Sequence, residues 1–588
     1  MQRFLFLLPL LFCLLLCTCG RAAATTSAAN EPPGLPNILF ILTDDQGIGD
    51  LSLHGNDSIQ TPNMDALLRS SARFSRFYVS PVCAPTRASF LSGMYAPRTG
   101  AIFVTRRRET MDNRIMTLPE YLRHAGYRTG LFGKWHNGAT APYDPPAQGF
   151  EEFLGFTLGH FNDYFSGTLE NERREQVPFA GDLSKILTDS AAHFMQQESR
   201  DPFFCMLAYQ APHTPVQVVD KHWDWVQERG LTDYNTGIYA MIESLDEQLG
   251  RLLATLEEKG ILDNTVVIFS TDNGPNGDRY RMGLKGTKGQ VDEGGVRVPF
   301  GIKMPGDHPA NGKVFDRPSA HIDVVPTLLE LADLPVPESL DGRSMLGVLN
   351  ADPLSEDTGR FIYAFKQGYD FKMWPGSMRN KEYLYVRRSE TDHELYDLQA
   401  DPGQTENIFA INPPIGEQLA TEYEHFAKTV YRPDRVAPPI DLGATWDPIT
   451  LYAHEGEPQG DTHFKDKYGW ANDFFVNLGP EGAQWPVKLA KDRTYTLTIH
   501  YHLEDKVART LVLGTDKGQD REVTLPPAIT QQLPVADRVP RKEVYPRQWA
   551  TLEVKDFKVE AETTLFRLFS SDRSPGLWIK EVEFRSRW

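Results

Sequence analysis

One short segment of the sequence combines a thiol, a fixed backbone and a permanent cation. It reads Cys83-Ala-Pro-Thr-Arg87. The proline fixes φ, and the guanidinium of Arg87 can pair with an oxyanion through two parallel hydrogen bonds. Residues Thr86 to Leu91 indicate the first turns of a helix, whose amino end would lower the pKa of the Cys83 thiol. The segment therefore predicts a nucleophilic cysteine, with a buried structural cysteine as the alternative.

Four apolar runs elsewhere in the chain end in polar side chains. Continuous apolar runs without alternation indicate strands that are buried on both faces of a parallel sheet. The polar residues that follow them are Asp44 and Asp45, Lys134 and His136, His213, and Asp272 and Asn273. Because ligands bind at the carboxyl ends of parallel strands in open α/β sheets, we expect these groups to converge on one edge of a sheet. Four unrelated surface turns would not explain the pattern.

A glycine-rich loop from Gly283 to Pro299 adds Lys285 and Lys288. Glycines let the backbone approach a ligand closely, and an ammonium group in such a loop can contact an anion. The loop therefore predicts an anion contact, with a flexible lid as the alternative.

The order of these motifs resembles that of the type I, formylglycine-dependent sulfatases, an arylsulfatase-like family of the alkaline phosphatase superfamily. The matching segments are Asp44-Asp45, Cys83-Ala-Pro-Thr-Arg-Ala-Ser-Phe-Leu-Ser-Gly93, Gly133-Lys-Trp-His136, His213, Asp272-Asn-Gly274 and Lys288-Gly-x-x-x-Glu-Gly-Gly295. The resemblance covers residues 36 to 430, and it implies that Cys83 is converted to formylglycine after translation.

The resemblance also implies a metal ion. Its ligands would be Asp44, Asp45, Asp272, Asn273 and residue 83 as formylglycine. Oxygen ligands favour Ca²⁺, with Mg²⁺ as the second choice, whereas zinc would prefer His or Cys. Two adjacent carboxylates such as Asp44 and Asp45 also repel each other unless a cation or strong donors lie between them.

Each remaining motif residue takes a role from the same resemblance. A hydrated aldehyde attacks sulfur with one hydroxyl, and the other then expels sulfate by C–O cleavage. Arg87 and the metal would stabilise the attacking oxygen, and Lys134 and Lys288 the sulfuryl oxygens. His213 would protonate the departing alcohol, and His136 would take the proton that triggers sulfate release. Lys285 is a weaker candidate than Lys288.

Length and charge limit the classes of protein. A chain of 588 residues is too long for one core and predicts about two to four domains. The formal charge of −18 argues against a nucleic-acid-binding protein. It does not exclude an anionic substrate, because distant charges are screened beyond a Debye length of about 8 Å.

The predicted fold class is α/β, a large, mixed and mostly parallel sheet flanked by helices, with all-β additions. The α/β catalytic domain spans 36–350, and a small antiparallel subdomain spans 351–432. A stretch rich in proline and charge then precedes an appended β-sandwich at 450–588, where strict alternation between Thr494 and Leu503 indicates a strand with one buried face. The sandwich would either bind glycan or support the catalytic domain.

The first residues predict export. Residues 1–24 combine a positive start, an apolar core and a small-residue cleavage site, and Cys19 offers an alternative lipoprotein signal. Residues 25–35 form a linker. The protein is expected to be periplasmic, extracellular or surface-anchored in a bacterium, and secretory or lysosomal in a eukaryote. Contact with a membrane is expected only through that lipid anchor. Only Cys83 and Cys205 remain in the folded part, so we expect no disulfide framework.

The predicted function is hydrolysis of the sulfate esters of a sulfated sugar or polysaccharide, after maturation by a formylglycine-generating enzyme. The alternatives are a phosphate or phosphonate ester hydrolase of the same superfamily and a non-catalytic glycan-binding protein. Several loop residues could line a pocket, although each alone is more typical of a solvated surface. They are Arg106 to Arg108, His160, Asp163, Arg279 and Arg281.

Overall fold

The computed structural model describes residues 34–351, 359–430, 432, 437–444, 447–466, 468–528, 530–572 and 576–586. The predicted export signal at 1–24, its Cys19 and nearly all of the linker at 25–35 lie outside these residues. Within them, no helix is long and apolar enough to cross a membrane.

A ten-stranded sheet forms the centre of the region predicted to be catalytic, residues 36–350, which is called the catalytic region below. Its strands are β1 (Asn37–Thr43), β2 (Ala72–Phe74), β4 (Arg128–Lys134), β5 (Glu152–Phe156), β6 (Ser166–Asn171), β7 (Gln176–Ala180), β8 (Phe203–Ala208), β9 (Thr265–Thr271), β11 (Phe300–Lys303) and β12 (Val314–Phe315). They lie in the order β12-β2-β11-β9-β1-β8-β4-β5-β6-β7. The five strands from β9 to β5 pair in parallel, and strands on either side add antiparallel pairs.

Helices cover both faces of this sheet. The helices are α1 (Pro62–Ser70), α2 (Cys83–Ser92), α3 (Ala96–Thr99), α4 (Leu118–His124), α5 (Leu183–Met195), α6 (Asp220–Gln227), α7 (Asp233–Glu258), α8 (Glu293–Val296), α9 (Val324–Leu331), α10 (Leu346–Leu349) and α11 (Pro413–Val430). Along β1, Leu39 and Ile41 join a core with α1, α5 and α7, whereas Phe40 and Leu42 join a core with α2, α4 and α9. This double burial explains why the strand sequences are continuously apolar.

Two smaller sheets complete the region before residue 432. Strands β3 (Phe77–Tyr78), β10 (Arg297–Val298) and β13 (Ser319–Ala320) form one. Strands β14 (Ile362–Phe365), β15 (Gly376–Arg379), β16 (Tyr383–Arg387) and β17 (His393–Asp397) form an antiparallel meander, on which α11 packs.

The C-terminal part consists of two six-stranded sheets that share one core. One contains β18 (Ile440–Asp441), β20 (Glu457–Pro458), β23 (Ala483–Lys488), β25 (Arg509–Thr515), β26 (Arg521–Leu525) and β28 (Leu565–Ser570). The other contains β19 (Ile449–Tyr452), β21 (His463–Phe464), β22 (Phe475–Val476), β24 (Arg493–Leu503), β27 (Ala550–Val559) and β29 (Leu577–Ser586). The alternate residues of β24 from Tyr495 to Leu503 are buried, as their alternation predicted. The predicted fold class is confirmed.

Candidate active site

The strand ends bring the predicted polar groups together. Strands β1 and β9 are parallel, with Thr43 opposite Thr271, so Asp44 and Asp272 leave the sheet side by side. Lys134 is the last residue of β4, which pairs with β8, the strand that leads into His213. The strand register therefore places residues more than two hundred positions apart in the sequence next to each other.

Cys83 is the first residue of α2, so the helix begins three residues earlier than the sequence indicated. The helix is buried along its whole length and ends at Gly93, whose φ of 69° favours glycine. The ligand atoms of Cys83, Asp44 and Asp272 all lie within 4.8 Å of one another. Burial raises the pKa of the Cys83 thiol, despite the opposing charges of Lys134 and Lys288. The expectation of a lowered thiol pKa was wrong, because burial outweighs the helix end.

Three of the predicted ligand side chains have an oxygen atom with lone pairs available for a metal ion. Asp44 Oδ1, Asp45 Oδ2 and Asn273 Oδ1 are buried and have no hydrogen-bond partner in the described part of the chain. Asn273 Nδ2 donates to Asp45 Oδ1 at 2.8 Å, which leaves the amide oxygen available. Unpaired buried oxygens are costly, so this donor set fits a hard divalent cation.

Each of the three carboxylates contacts a cationic side chain. Lys134 Nζ lies 2.5 Å from Asp44, and Lys288 Nζ lies 2.5 Å from Asp45. The Nε and Nη2 of Arg87 donate to Asp272 Oδ2 at 3.0 and 2.8 Å. The cluster thus contains three carboxyl groups and three cationic side chains, of which Lys288 is partly exposed.

The pKa values of the carboxylates diverge. Burial opposes ionisation of Asp44, yet the charges of Lys134, His213, Arg87 and Lys288 together outweigh it and lower the pKa. Burial and the neighbouring charge of Asp44 raise the pKa of Asp272 to about 7. The pKa values of neighbouring carboxyl groups differ in this way because each negative charge makes ionisation of the next group less favourable.

Two predicted histidines border the same cluster. His213 Nε2 lies 3.8 Å from Asp45 Oδ2, and its Nδ1 donates to the carbonyl of Thr214 at 2.7 Å. His136 Nε2 lies 2.9 Å from the carbonyl of Val104. Burial lowers the pKa of both imidazoles, aided by Lys288 at His213 and by Lys134 at His136. The lowered pKa values favour the neutral form of both rings, in which His136 can accept a proton. His213 can donate a proton from Nε2 only when its ring is protonated.

Backbone strain is present at two of these residues. Asp45 has a φ of 65° and His136 a φ of 69°, left-handed values that are uncommon outside glycine and cluster at functional sites. Arg279 supports Asp45, because its Nη2 donates to the Asp45 carbonyl at 2.7 Å. Arg279 also pairs with the buried carboxylate of Asp50 at 2.7 Å.

Most of the loop candidates point elsewhere. Lys285 donates to Tyr396 Oη at 2.7 Å, and Arg281 pairs with Asp278. Arg106 stacks on the ring of Tyr369, with 4.1 Å between the guanidinium carbon and the ring centre. Arg279, which contacts Asp45, and His160 are exceptions; the His160 ring stacks on that of His213 with 5.8 Å between ring centres.

A cavity of about 620 Å³ opens above Cys83. Sequence reasoning identified His136, His213 and Lys288 in its wall and missed others, among them Lys366, Trp470 and Glu543. These three lie far along the chain from the motifs, and no local pattern sets them apart from surface residues. Only the tertiary structure brings them to the site.

Comparison with known proteins places the chain in a family. The family model Sulfatase matches residues 36–334, and the model N-sulphoglucosamine sulphohydrolase, C-terminal, matches residues 287–426. An ulvan-active sulfatase from Formosa agariphila is 28% identical, and the match covers 70% of this chain and 83% of that protein. Human arylsulfatase A is 30% identical, with coverage of 63% and 83%.

A solved structure resembles the fold over a similar span. Ps i-CgsB in complex with k-i-k-neocarrahexaose superposes with a TM-score of 0.63 and 27% identity, over 68% of this chain and 95% of that one. The fold and the strand-end cluster define a hydrolase of the alkaline phosphatase superfamily. The chain belongs to the sulfatase family, whose members hydrolyse sulfate esters.

Proposed function

We propose that this sulfatase hydrolyses the sulfate esters of a sulfated sugar or polysaccharide, with formylglycine at position 83 and a bound Ca²⁺ ion. The observation that carries the proposal is the position of Cys83, whose Sγ lies within 4.8 Å of carboxylate oxygens of Asp44 and Asp272. That sulfur stands where the oxygen atoms of a formylglycine hydrate would lie. Arg87, Lys134 and Lys288 surround the same point.

The modified residue 83 would supply one hydroxyl for attack at sulfur and a second for expulsion of sulfate. Unmodified, the buried thiol is protonated and offers neither. Arg87 lies fully buried and would hold the attacking oxygen in place while its two nitrogen atoms fix Asp272.

Four side chains would hold the metal ion through oxygen. They are Asp44, Asp45, Asp272 and Asn273, of which three have an unpaired buried oxygen. Bound Ca²⁺, with Mg²⁺ as the second choice, would supply charge stabilisation to an oxygen on sulfur. All-oxygen donors support a hard cation over zinc.

The remaining roles follow from charge and position. Lys134 and Lys288 would bind the sulfuryl oxygens, because the charges of both ammonium groups act on the side chain of residue 83 and Lys288 also lines the cavity. His213 would protonate the departing alcohol, and His136 would accept the proton that leads to sulfate release. Both rings line the cavity above residue 83.

The substrate class rests on the relatives and on the cavity. One relative is an ulvan-active sulfatase, and a similar solved structure holds a neocarrahexaose. A cavity of about 620 Å³ exceeds what a sulfate group alone fills and accepts a sugar ring. We further propose export by the signal at 1–24 and maturation by a formylglycine-generating enzyme.

Two measurements test this function. Sulfate release is assayed on 4-nitrophenyl sulfate and on oligosaccharides of ulvan, carrageenan and chondroitin sulfate. Phosphate release from 4-nitrophenyl phosphate is assayed in parallel, to compare sulfatase with phosphatase activity. We expect turnover of at least one sulfated oligosaccharide and its loss in Cys83→Ala. The mass of the tryptic peptide Phe77 to Arg87 should show CHO or its hydrate in place of CH₂SH. An unmodified thiol in active enzyme would refute the mechanism.

A further inference from the structure

The wall of the cavity opposite the catalytic residues belongs to the C-terminal sheets. Two segments contribute to it, residues 468–471 between β21 and β22 and residues 539–543 between β26 and β27. The cavity over residue 83 is therefore formed jointly by the catalytic region and by the part of the chain that the sulfatase family models leave unmatched.

Hydrogen bonds join both segments, or the residue next to them, to loops that precede residue 432. Asn472 Nδ2 donates to the carbonyl of His160 at 2.9 Å, and Tyr369 Oη donates to the carbonyl of Tyr468 at 3.0 Å. Arg541 Nη1 donates to the carbonyl of Asn162 at 2.9 Å. These three contacts connect the wall to the part of the chain that holds the catalytic residues.

The wall presents an aromatic surface. The rings of Tyr468 and Trp470 are stacked, with 4.8 Å between their centres and 12° between their planes. Tyr468 is 47% exposed, and Trp470 is half-buried. A stacked aromatic pair facing a charged cavity offers its face to the C–H surface of a sugar ring, while the sulfate points to the cations.

We propose that residues 468–471 and 539–543 form the subsite for the sugar that carries the reacting sulfate, with Trp470 as its stacking platform. The C-terminal sheets are then part of the active site rather than a separate glycan-binding module. This inference rests on the proposed function, because a subsite for the sulfated sugar has a role only if the enzyme hydrolyses sugar sulfates.

The test compares two substrates in the full-length, formylglycine-containing enzyme. The readout is kcat/KM for the best sulfated oligosaccharide divided by kcat/KM for 4-nitrophenyl sulfate. In Trp470→Ala this ratio should fall about ten-fold or more, mainly through KM, which is the loss expected for a buried aromatic contact. Trp470→Phe keeps an aromatic ring and should retain most of the ratio. Trp225→Ala is the matched control, because Trp225 is 56% exposed on α6 and does not line this cavity.

A binding experiment separates this inference from the proposed function. Calorimetric titration of Cys83→Ala with the oligosaccharide measures binding without turnover, and Trp470→Ala in that background should weaken it about ten-fold. An unchanged ratio together with unchanged binding would overturn the subsite. If wild-type enzyme released no sulfate but binding still depended on Trp470, the proposed function would fail and the subsite would stand.

A separate observation concerns Lys366. Its Nζ lies 5.1 Å from the centre of the Phe103 ring, and the side chain lines the same cavity. Lys134 and Lys288 each contact a carboxylate at 2.5 Å, whereas Lys366 makes no such ion pair within the described residues. Burial and the charge of Lys288 lower the pKa of Lys366 to about 8. A half-buried amine without a counter-charge, beside a second cation, is costly unless an anion joins it.

We infer that Lys366 binds a second anionic group of the substrate, outside the sulfate under attack. A second sulfate and a uronate carboxylate share this chemistry, and matched substrates distinguish them. Oligosaccharides with one sulfate are compared with those carrying a second sulfate or a uronate. We expect wild-type enzyme to prefer one doubly charged class about ten-fold, Lys366→Met to lose that preference and Lys366→Arg to keep most of it. An equal preference in Lys366→Met and wild type, or none in wild type, would overturn the inference.

Discussion

The carboxylate of Glu543 accepts a hydrogen bond from the hydroxyl of Thr214, the residue that follows His213. The carbonyl of Thr214 in turn accepts a hydrogen bond from His213 Nδ1 at 2.7 Å. Glu543 is buried, and its other oxygen has no hydrogen-bond partner among the residues that the structure describes. A side chain of the C-terminal part thus holds the turn that directs His213 Nε2 towards Asp45.

This relationship predicts a selective defect in Glu543→Ala. Loss of the acceptor frees Thr214 and misaligns His213, so kcat on a sugar sulfate should fall about ten-fold or more. The fall on 4-nitrophenyl sulfate should be smaller, because that leaving group needs little protonation. Steady-state kinetics on both substrates measure the difference. Glu543→Gln keeps an oxygen acceptor and should lose less, and an equal loss on both substrates would contradict the positioning role.

The proposed general acid gives a stronger prediction. His213→Asn should lower kcat on a sugar sulfate by about 10² to 10⁴, the range for loss of a positioned acid. The loss on 4-nitrophenyl sulfate should again be smaller. His425→Asn, an exposed histidine on α11, is the control and should match wild type. If both substrates lost equal activity in His213→Asn, His213 would not be the proton donor.

Metal binding should stabilise the fold. Removal of the ion leaves three buried oxygens of Asp44, Asp45 and Asn273 without a partner, so a chelator should lower the melting temperature. Ca²⁺ at one hundred times its Kd should restore about 2.7 kcal/mol of stability. Scanning fluorimetry with Ca²⁺, Mg²⁺ and Zn²⁺ compares the ions. Asn273→Ala should reduce the response to Ca²⁺, and a melting temperature unchanged by chelator and Ca²⁺ would exclude the site.

The sequence predicts those site residues that lie in a recognisable local pattern. Cys83 and Arg87 lie in one helical segment, and Asp44 and Asp272 end apolar strands, so local patterns identify them. Trp470 and Lys366 have no such pattern, because their role depends on how distant segments pack. The raised pKa of the Cys83 thiol was missed for a related reason, since burial of the helix end is a property of the packed core.

Two carboxyl groups where the catalytic region meets the C-terminal sheets predict a pH dependence of stability. Burial raises the pKa of Glu109 to about 7, and burial and the charge of Glu109 raise that of Glu455 to about 8. Groups whose pKa rises on folding stabilise the fold fully below their unfolded pKa, and this contribution is lost as the pH rises through 7 to 8. The melting temperature should therefore fall between about pH 5 and pH 9.

The variant Glu455→Gln tests the assignment. An amide cannot ionise, so the melting temperature of Glu455→Gln should decline less between about pH 5 and pH 9 than that of wild type. Glu522→Gln, on the exposed edge strand β26, is the matched control and should follow wild type. Identical slopes in wild type and Glu455→Gln would show that another group sets the pH dependence.

Arg279 predicts a link between stability and the proposed metal site. It is buried, pairs with Asp50 at 2.7 Å and donates to the strained backbone of Asp45. Arg279→Met should leave the Asp50 charge buried and unpaired, at a cost of about 3 to 5 kcal/mol. It should also weaken Ca²⁺ binding, because Asp45 loses the donor that holds its left-handed conformation. Arg281→Met removes a neighbouring arginine whose partner Asp278 is exposed, so its effect should stay within about 0.5 kcal/mol. Equal melting temperatures and Ca²⁺ titrations for the two variants would refute the link.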